Sequence, residues 1–123
     1  MNTAVTDAKQ FIDEYFKSLS GQPKTEKLLD QYVSDPGLKE HIRVVEAAFP
    51  EYELVPDQLV AEADVVAVRG TFRGEHKGEF AGVQPTGKTV SADLMIFYRI
   101  SEGRIAEYWL QMDMAGLIQQ LSK

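Results

Sequence analysis

The stretch from 103 to 121, GRIAEYWLQMDMAGLIQQL, decides how the rest of the chain is read. Glu102-Gly103 before it has the composition of a two-residue hairpin loop, with a glycine free to take the positive φ such loops require. An alternating strand then runs from Arg104 to Asp113, and a short amphipathic segment, MAGLIQQL, closes the chain. Side chains alternate across a strand, which predicts Ile105, Glu107, Trp109, Gln111 and Asp113 on one face. A carboxylate ending a face that also carries a tryptophan and an amide reads as the floor of a pocket. Asp113 is therefore the leading candidate for chemistry.

The segment before the loop, Lys88 to Ser101, reads as the pairing strand. Across an unbroken ladder Tyr98 faces Glu107, Ile96 faces Trp109, Leu94 faces Gln111 and Ala92 faces Asp113. One face then presents Leu94, Ile96, Tyr98, Trp109, Gln111 and Asp113, with the small Ala92 leaving room beside the acid. The other carries Met95, Phe97, Tyr108, Leu110 and Met112. Both faces are apolar, so both are expected to be covered, one by helices across a pocket and the other by a second subunit. A bulge would shift this register.

Two earlier strands extend the sheet. Val65 to His76 is rich in β-branched and aromatic residues. Tyr52 to Glu62 joins it through Ala63-Asp64 and is weakened or bulged at Pro56. The short link makes the pair antiparallel. Lys77 to Gly87, KGEFAGVQPTG, has turn composition, yet its Phe80 and Val83 are apolar. It serves either as a rim over the pocket or as the closure of the sheet end.

The first third is helical. Val5, Ala8, Ile12, Tyr15, Phe16 and Leu19 recur at helical spacing over residues 3 to 19, with Thr6 or Asp7 as a cap and Ser20-Gly21-Gln22-Pro23 as the stop. A short helix over 25 to 33 turns Leu28, Leu29 and Tyr32 inward. Asp35-Pro36 has the form of an N-cap followed by a first-turn proline. The helix it opens runs to about Ala48, with Leu38, Ile42, Val45 and Phe49 on one stripe and His41 beside it. Helices first and strands after predict an α+β domain with the helices packed on one antiparallel sheet.

Composition narrows the function. The 123 residues suffice for one domain. There is no cysteine, hence no disulfide, thiolate metal site or cysteine nucleophile. The net charge of −6 argues against nucleic-acid and anionic-membrane partners. No signal peptide or membrane span is legible, so a cytoplasmic location is expected. The two histidines, His41 and His76, belong to no ligand motif, so neither a metal nor a cofactor is expected.

The runs Gly70-Thr71-Phe72-Arg73-Gly74-Glu75-His76-Lys77-Gly78-Glu79-Phe80, Gly82 to Lys88 and Gly103 to Trp109, with Asp113, Gln120-Leu121 and an earlier Phe49-Pro50, resemble the SnoaL-like polyketide cyclases, or ester cyclases. The resemblance covers roughly residues 45 to 122 well and the helical third loosely. It implies a nuclear transport factor 2-like (cystatin-like) fold: a cone of helices on a strongly curved antiparallel sheet, with a pocket inside and a homodimer through the sheet. It also implies cofactor-free ring closure with an aspartate as acid/base, which falls on Asp113. The pocket histidine of the known cyclases has no aligned counterpart here.

A carboxylate in an apolar pocket has its pKa raised, which suits proton transfer near neutral pH. On this reading Asp113 abstracts an α-proton from a small hydrophobic carbonyl compound, and Tyr98, Trp109 or Gln111 orients the oxygen. Tyr15, Phe16, Phe49, Phe80, Leu94 and Ile96 join them as substrate contacts, and His41 and His76 are accessory acid/base candidates. The same aspartate could instead cap the terminal helix. Two alternatives therefore stand beside the enzyme: a non-catalytic binder of a small apolar ligand, and a structural dimer whose cone is filled by Phe16, Phe49, Phe80 and Trp109.

Overall fold

The computed structural model describes residues 3–122. Helix α1 (Thr3–Leu19) contains Thr6 and Asp7, which therefore do not cap it. Ala8, Ile12, Tyr15, Phe16 and Leu19 are buried along one stripe of α1; the side chain expected at Val5 lies outside the described residues. Helix α2 (Glu26–Tyr32) is capped by Thr25, whose hydroxyl accepts the Leu28 N–H at 3.2 Å. Helix α3 (Pro36–Ala48) opens as its residues predict: the Asp35 carboxylate accepts the Leu38 N–H at 2.8 Å, and Pro36 needs no partner for a missing N–H.

The strands β1 (Glu53–Glu62), β2 (Val65–Glu75), β3 (Thr89–Ser101) and β4 (Arg104–Met112) form one antiparallel sheet in chain order. The register of β1 on β2 shifts between Pro56 and Gln58, where proline cannot donate to the ladder. Along β3 the alternation is clean. Val90, Ala92, Leu94, Ile96 and Tyr98 are buried, while Ser91, Asp93, Met95 and Phe97 are exposed. The inner face meets α1 and α3 in a single apolar core.

The β3–β4 hairpin departs from the unbroken ladder. Its turn forms at Glu102-Gly103, both with positive φ (53° and 76°). Ser101 pairs with Arg104 and Ile100 with Ile105, but Arg99 pairs with Glu107. Ala106 has no partner and bulges out. Because side chains alternate, one extra residue sends everything beyond it to the opposite face. Tyr98 therefore faces Tyr108, Ile96 faces Leu110 and Leu94 faces Met112. Tyr108, Leu110 and Met112 join the inner face; Glu107, Trp109 and Gln111 join the outer one, the reverse of the sequence expectation.

Helix α4 (Met114–Leu121) folds back on β3. The Gln120 amide clamps it there, accepting the Ser91 N–H at 3.0 Å and donating to the Ser91 carbonyl at 2.8 Å. The connection between β2 and β3 is tied to the end of α3, where Lys77 and Gly78 both donate to the Ala48 carbonyl at 3.0 Å. A Cβ on Gly78 would lie 2.2 Å from the Ala47 carbonyl oxygen, so this approach requires glycine.

Candidate functional site

Between α3, the inner face of β4 and α4 lies an open cavity of about 390 Å³. Val44, Val45, Phe49, Phe72, Phe80, Leu110, Met112, Met114 and Leu117 make its wall almost wholly apolar. A smaller chamber of about 30 Å³ lies deeper in the core, against α1. His41, Val45, Phe72, Leu110 and Met112 line both spaces. The deep chamber adds Tyr15, Tyr52, Tyr98 and Tyr108 to a wall otherwise built from Leu38, Leu54, Leu94 and Ile96 and their neighbours.

His41 reaches this position because α3 is amphipathic. Leu38, Ile42 and Val45 face the core, and position 41 falls at the edge of that stripe. Its ring lies 6.0 Å from that of Tyr108. Burial holds its pKa below the ordinary histidine value, because an imidazolium is poorly solvated among apolar groups. The phenols of Tyr15, Tyr52 and Tyr98 are pushed well above theirs, chiefly by burial. The cavity thus presents neutral groups at neutral pH. Tyr52 is held from behind by Lys24, whose ammonium donates to the Tyr52 carbonyl at 2.6 Å and lies 4.0 Å above its ring.

Of the residues singled out from the sequence, Tyr15, Leu94, Ile96, Tyr98 and His41 meet in the deep chamber. Phe49 and Phe80 line the open cavity, their rings 5.2 Å apart, which makes the 77–87 loop a rim. Phe16 is core, packed on Tyr98 at 5.9 Å and outside both chambers. Trp109 is 52% exposed on the outer face, and Gln111 is exposed at the rim. The bulge at Ala106 accounts for both.

Asp113 is exposed and is the N-cap of α4, its carboxylate accepting the Gly116 N–H at 2.9 Å. It lines a separate groove of about 290 Å³ with Arg69, Asp93 and Met95. It is therefore not the floor of the inner cavity, since β4 delivers it one position past the inward Met112. His76 is buried beside Phe49, with its Nδ1 accepting the Thr86 N–H at 3.2 Å, and lines neither chamber. Of the tyrosines in the cavity wall, sequence reasoning passed over Tyr52 and Tyr108; Leu38, Val45, Phe72, Leu110 and Met112 also line it without having been singled out. An unbroken ladder puts Tyr108 on the face opposite Tyr98, and no residue type at 106 announces the bulge.

Among the described residues no group of three or more His, Asp or Glu side chains is placed to hold a metal, and no helix is long and apolar enough to cross a membrane.

Helices before a curled four-stranded antiparallel sheet, with a cavity between them, define the nuclear transport factor 2-like class. Within it, the SnoaL-like polyketide cyclase model matches residues 3–121, and the chain belongs to that family. Among solved structures it is similar to AclR, a proposed hydroxylase from Streptomyces galilaeus, with 27% identity and a TM-score of 0.81, covering 96% of this chain and 82% of that one. TsrD from Streptomyces laurentii gives 26% identity and a TM-score of 0.75 over 98% and 97% of the two chains. A proposed SnoaL-like polyketide cyclase from Jannaschia sp. CCS1 gives 20% and 0.84 over 99% and 96%, a likeness of fold. No curated protein matches the chain.

Proposed function

We propose that this protein is a cofactor-free proton-transfer enzyme of the cyclase type, acting on a small hydrophobic carbonyl compound held in the inner cavity. The observation that carries this reading is the position of His41. It lines both chambers, and among the residues lining them it alone titrates near neutral pH. A base kept neutral by burial is ready to take a proton at pH 7, and the apolar wall selects an apolar substrate body. The acid/base role expected of Asp113 passes to His41, because the Asp113 carboxylate is engaged with the α4 backbone.

The test is exchange of α-protons for deuterium in a panel of apolar ketones and β-diketones, followed by NMR. Wild type is expected to exchange its preferred ketone well above the buffer rate, and His41→Gln to lose about 10²-fold or more, the scale of a general base. Asp113→Asn should retain the rate. Loss in Asp113→Asn with retention in His41→Gln would return the role to the aspartate.

The outer face supports a homodimer. Val60, Phe97 and Trp109 are about half exposed there and lie in one row across the sheet, with Val60 opposite Ala67, Ala67 opposite Phe97 and Phe97 opposite Trp109, and an exposed apolar row of this kind fits an interaction surface. Sedimentation of wild type against Phe97→Glu tests it: a dimer that becomes monomeric in the variant is the expected result.

A further inference from the structure

His76 follows the last residue of β2 and is fully buried, outside both chambers. Its ring leans on that of Phe49, the centroids 5.4 Å apart. Nδ1 accepts the Thr86 N–H at 3.2 Å. A ring nitrogen that accepts an N–H bears no proton itself, so the single proton of the neutral imidazole sits on Nε2. Among the described residues Nε2 is the buried side-chain atom left without a partner. Unpaired buried donors are rare and costly, and a phenylalanine would fill the same space without one. What offsets the orphaned N–H is therefore the acceptor at Nδ1.

That acceptor fastens one end of the rim. The β2–β3 ladder runs on past the strands as far as His76, which donates its N–H to the Lys88 carbonyl and accepts the Gly87 N–H, both at 2.8 Å. Thr86 is the next residue out, and there a side chain takes over from the ladder. The Thr86 hydroxyl lies 3.1 Å from Nδ1 and accepts the Lys88 N–H at 3.2 Å. The other end of the rim is held by backbone, through the Ala48 carbonyl. Between the ends, Phe80 and Val83 exchange both backbone bonds, at 3.0 and 2.8 Å, so the tip is a closed unit carried on its two attachments. Phe80 of that unit, and the Phe49 that His76 supports, are both walls of the open cavity.

An imidazolium carries a proton on each nitrogen. Nδ1 can then donate to the Thr86 hydroxyl, but the Thr86 N–H faces another N–H and loses its acceptor. Nε2 gains nothing from the second proton, since no acceptor stands before it. The charged groups on the surrounding elements are Glu75, Lys77 and Glu79 on the strand end and loop, Lys88 just before β3, and Glu46 on α3; α4 has none. Glu75 pairs with Lys77 at 3.7 Å and Glu46 with Lys24 at 3.5 Å. Among the described residues no carboxylate bonds to the His76 ring. The bond to Thr86 exists with the neutral ring and not with the cation.

We propose that His76 is a positioning residue for the cavity: its neutral Nδ1 holds the Thr86 end of the rim and so keeps Phe80 against Phe49 in the cavity wall, and protonation of that nitrogen releases the rim. This rests on the inner cavity as the ligand site and is independent of whether the ligand reacts there. Only a proton moves. It comes from solvent and adds to the Nδ1 lone pair, and the hydrogen bond from the Thr86 N–H is lost. Ligand affinity then depends on pH through a residue that touches no ligand, by way of the fraction of molecules whose wall is complete.

The experiment follows two readouts from about pH 8 to about pH 5, the range in which histidine changes charge. One is binding of N-phenyl-1-naphthylamine, an uncharged apolar fluorophore. The other is hydrogen-exchange protection of the Thr86 amide, relative to an unstructured amide at the same pH. His41→Gln serves as the background, because it leaves His76 as the one histidine of the chain. The probe is expected to bind about five- to tenfold more weakly at the acid end, the scale of one neutral hydrogen bond, with Thr86 protection falling in step. His76→Asn, whose amide oxygen can take the place of Nδ1, should keep the alkaline affinity and protection across the range. His76→Phe, which fills the space without an acceptor, should show the weaker affinity and an unprotected Thr86 amide throughout. Affinity that stays constant with pH while His76 is present, whether or not the protection falls, overturns the proposal; so does a His76→Asn variant as pH-sensitive as its parent. In the unsubstituted protein Thr86 protection must follow the NMR titration of the His76 ring and not that of His41, a comparison that requires no variant to fold. Absence of probe binding at the alkaline end removes the ligand cavity and this proposal together, whereas pH-independent binding removes this one alone. Deuterium exchange of ketones decides separately whether a bound ligand reacts.

Discussion

The two faces of the β3–β4 hairpin are nearly equal in hydrophobic content and opposite in use. The inner face carries Leu94, Ile96, Tyr98, Tyr108, Leu110 and Met112, packed on helices and lining a cavity with His41 at its waist. The outer face carries Met95, Phe97, Trp109 and Gln111, with Asp113 at its end and, among the described residues, no helix over it. Hydrophobicity therefore does not tell which face holds the site. One unpaired alanine does, because it decides which alternate residues of β4 the helices cover. The same shift separates the two acid/base candidates, leaving His41 in the cavity and Asp113 outside it.

The comparison breaks first at adjacent residues of β3. Ile96 is 5% exposed and Phe97 51%. Ile96→Asp should cost about 3–5 kcal/mol, the scale of an uncompensated buried charge. Phe97→Asp should cost about 1 kcal/mol or less in the monomer. Urea denaturation compares them, and equal losses would mean that the outer face is as buried as the inner.

A smaller effect is expected at Asp113. Asp113→Ala removes the α4 cap and should cost about 1 kcal/mol, again read in urea, while ligand affinity in the inner cavity is retained. Gly116→Ala should cost a similar amount, because its Cβ would stand 2.3 Å from the Asp113 carboxylate. An affinity that collapses in Asp113→Ala with the fold intact would put the aspartate back in the site.

The pH dependence sharpens the contrast further. The His41 pKa is lowered by folding from 6.5, so between 6.5 and that lower value the unfolded chain binds the proton and the folded chain does not. Stability conferred by keeping His41 neutral is complete above 6.5 and falls as pH drops through this window. His41→Gln should flatten that part of the stability–pH curve; an unchanged slope would mean a solvated imidazole.

The smallest change is expected from deleting Ala106. Removing the bulged residue leaves Ile105 opposite Ile100 and Tyr108 opposite Tyr98 in a regular ladder, so the fold should persist with a loss of about 1 kcal/mol or less. The chain has no cysteine, so single cysteines at 109 and 110 report the faces directly. In both the wild-type and the Ala106-deleted background, Trp109→Cys should react with a thiol reagent faster than Leu110→Cys.

By itself the sequence determined the element order, because each element is set by local chemistry. Asp35-Pro36 caps α3, Glu102-Gly103 turns the last hairpin, Pro56 disturbs β1, and the 3.6-residue period of α1 selects its buried stripe. It also carried enough of the family pattern to place the chain among the SnoaL-like cyclases. It did not determine the membership of the site. Strand facing has a period of two, so one bulged residue reverses every later assignment, and an alanine carries no signal that it will bulge. Only the tertiary structure decided that Tyr15, Tyr52, Tyr98, Tyr108 and His41, far apart in the chain, line one cavity, since their meeting depends on how the helices close over a sheet whose register is set by long-range pairing.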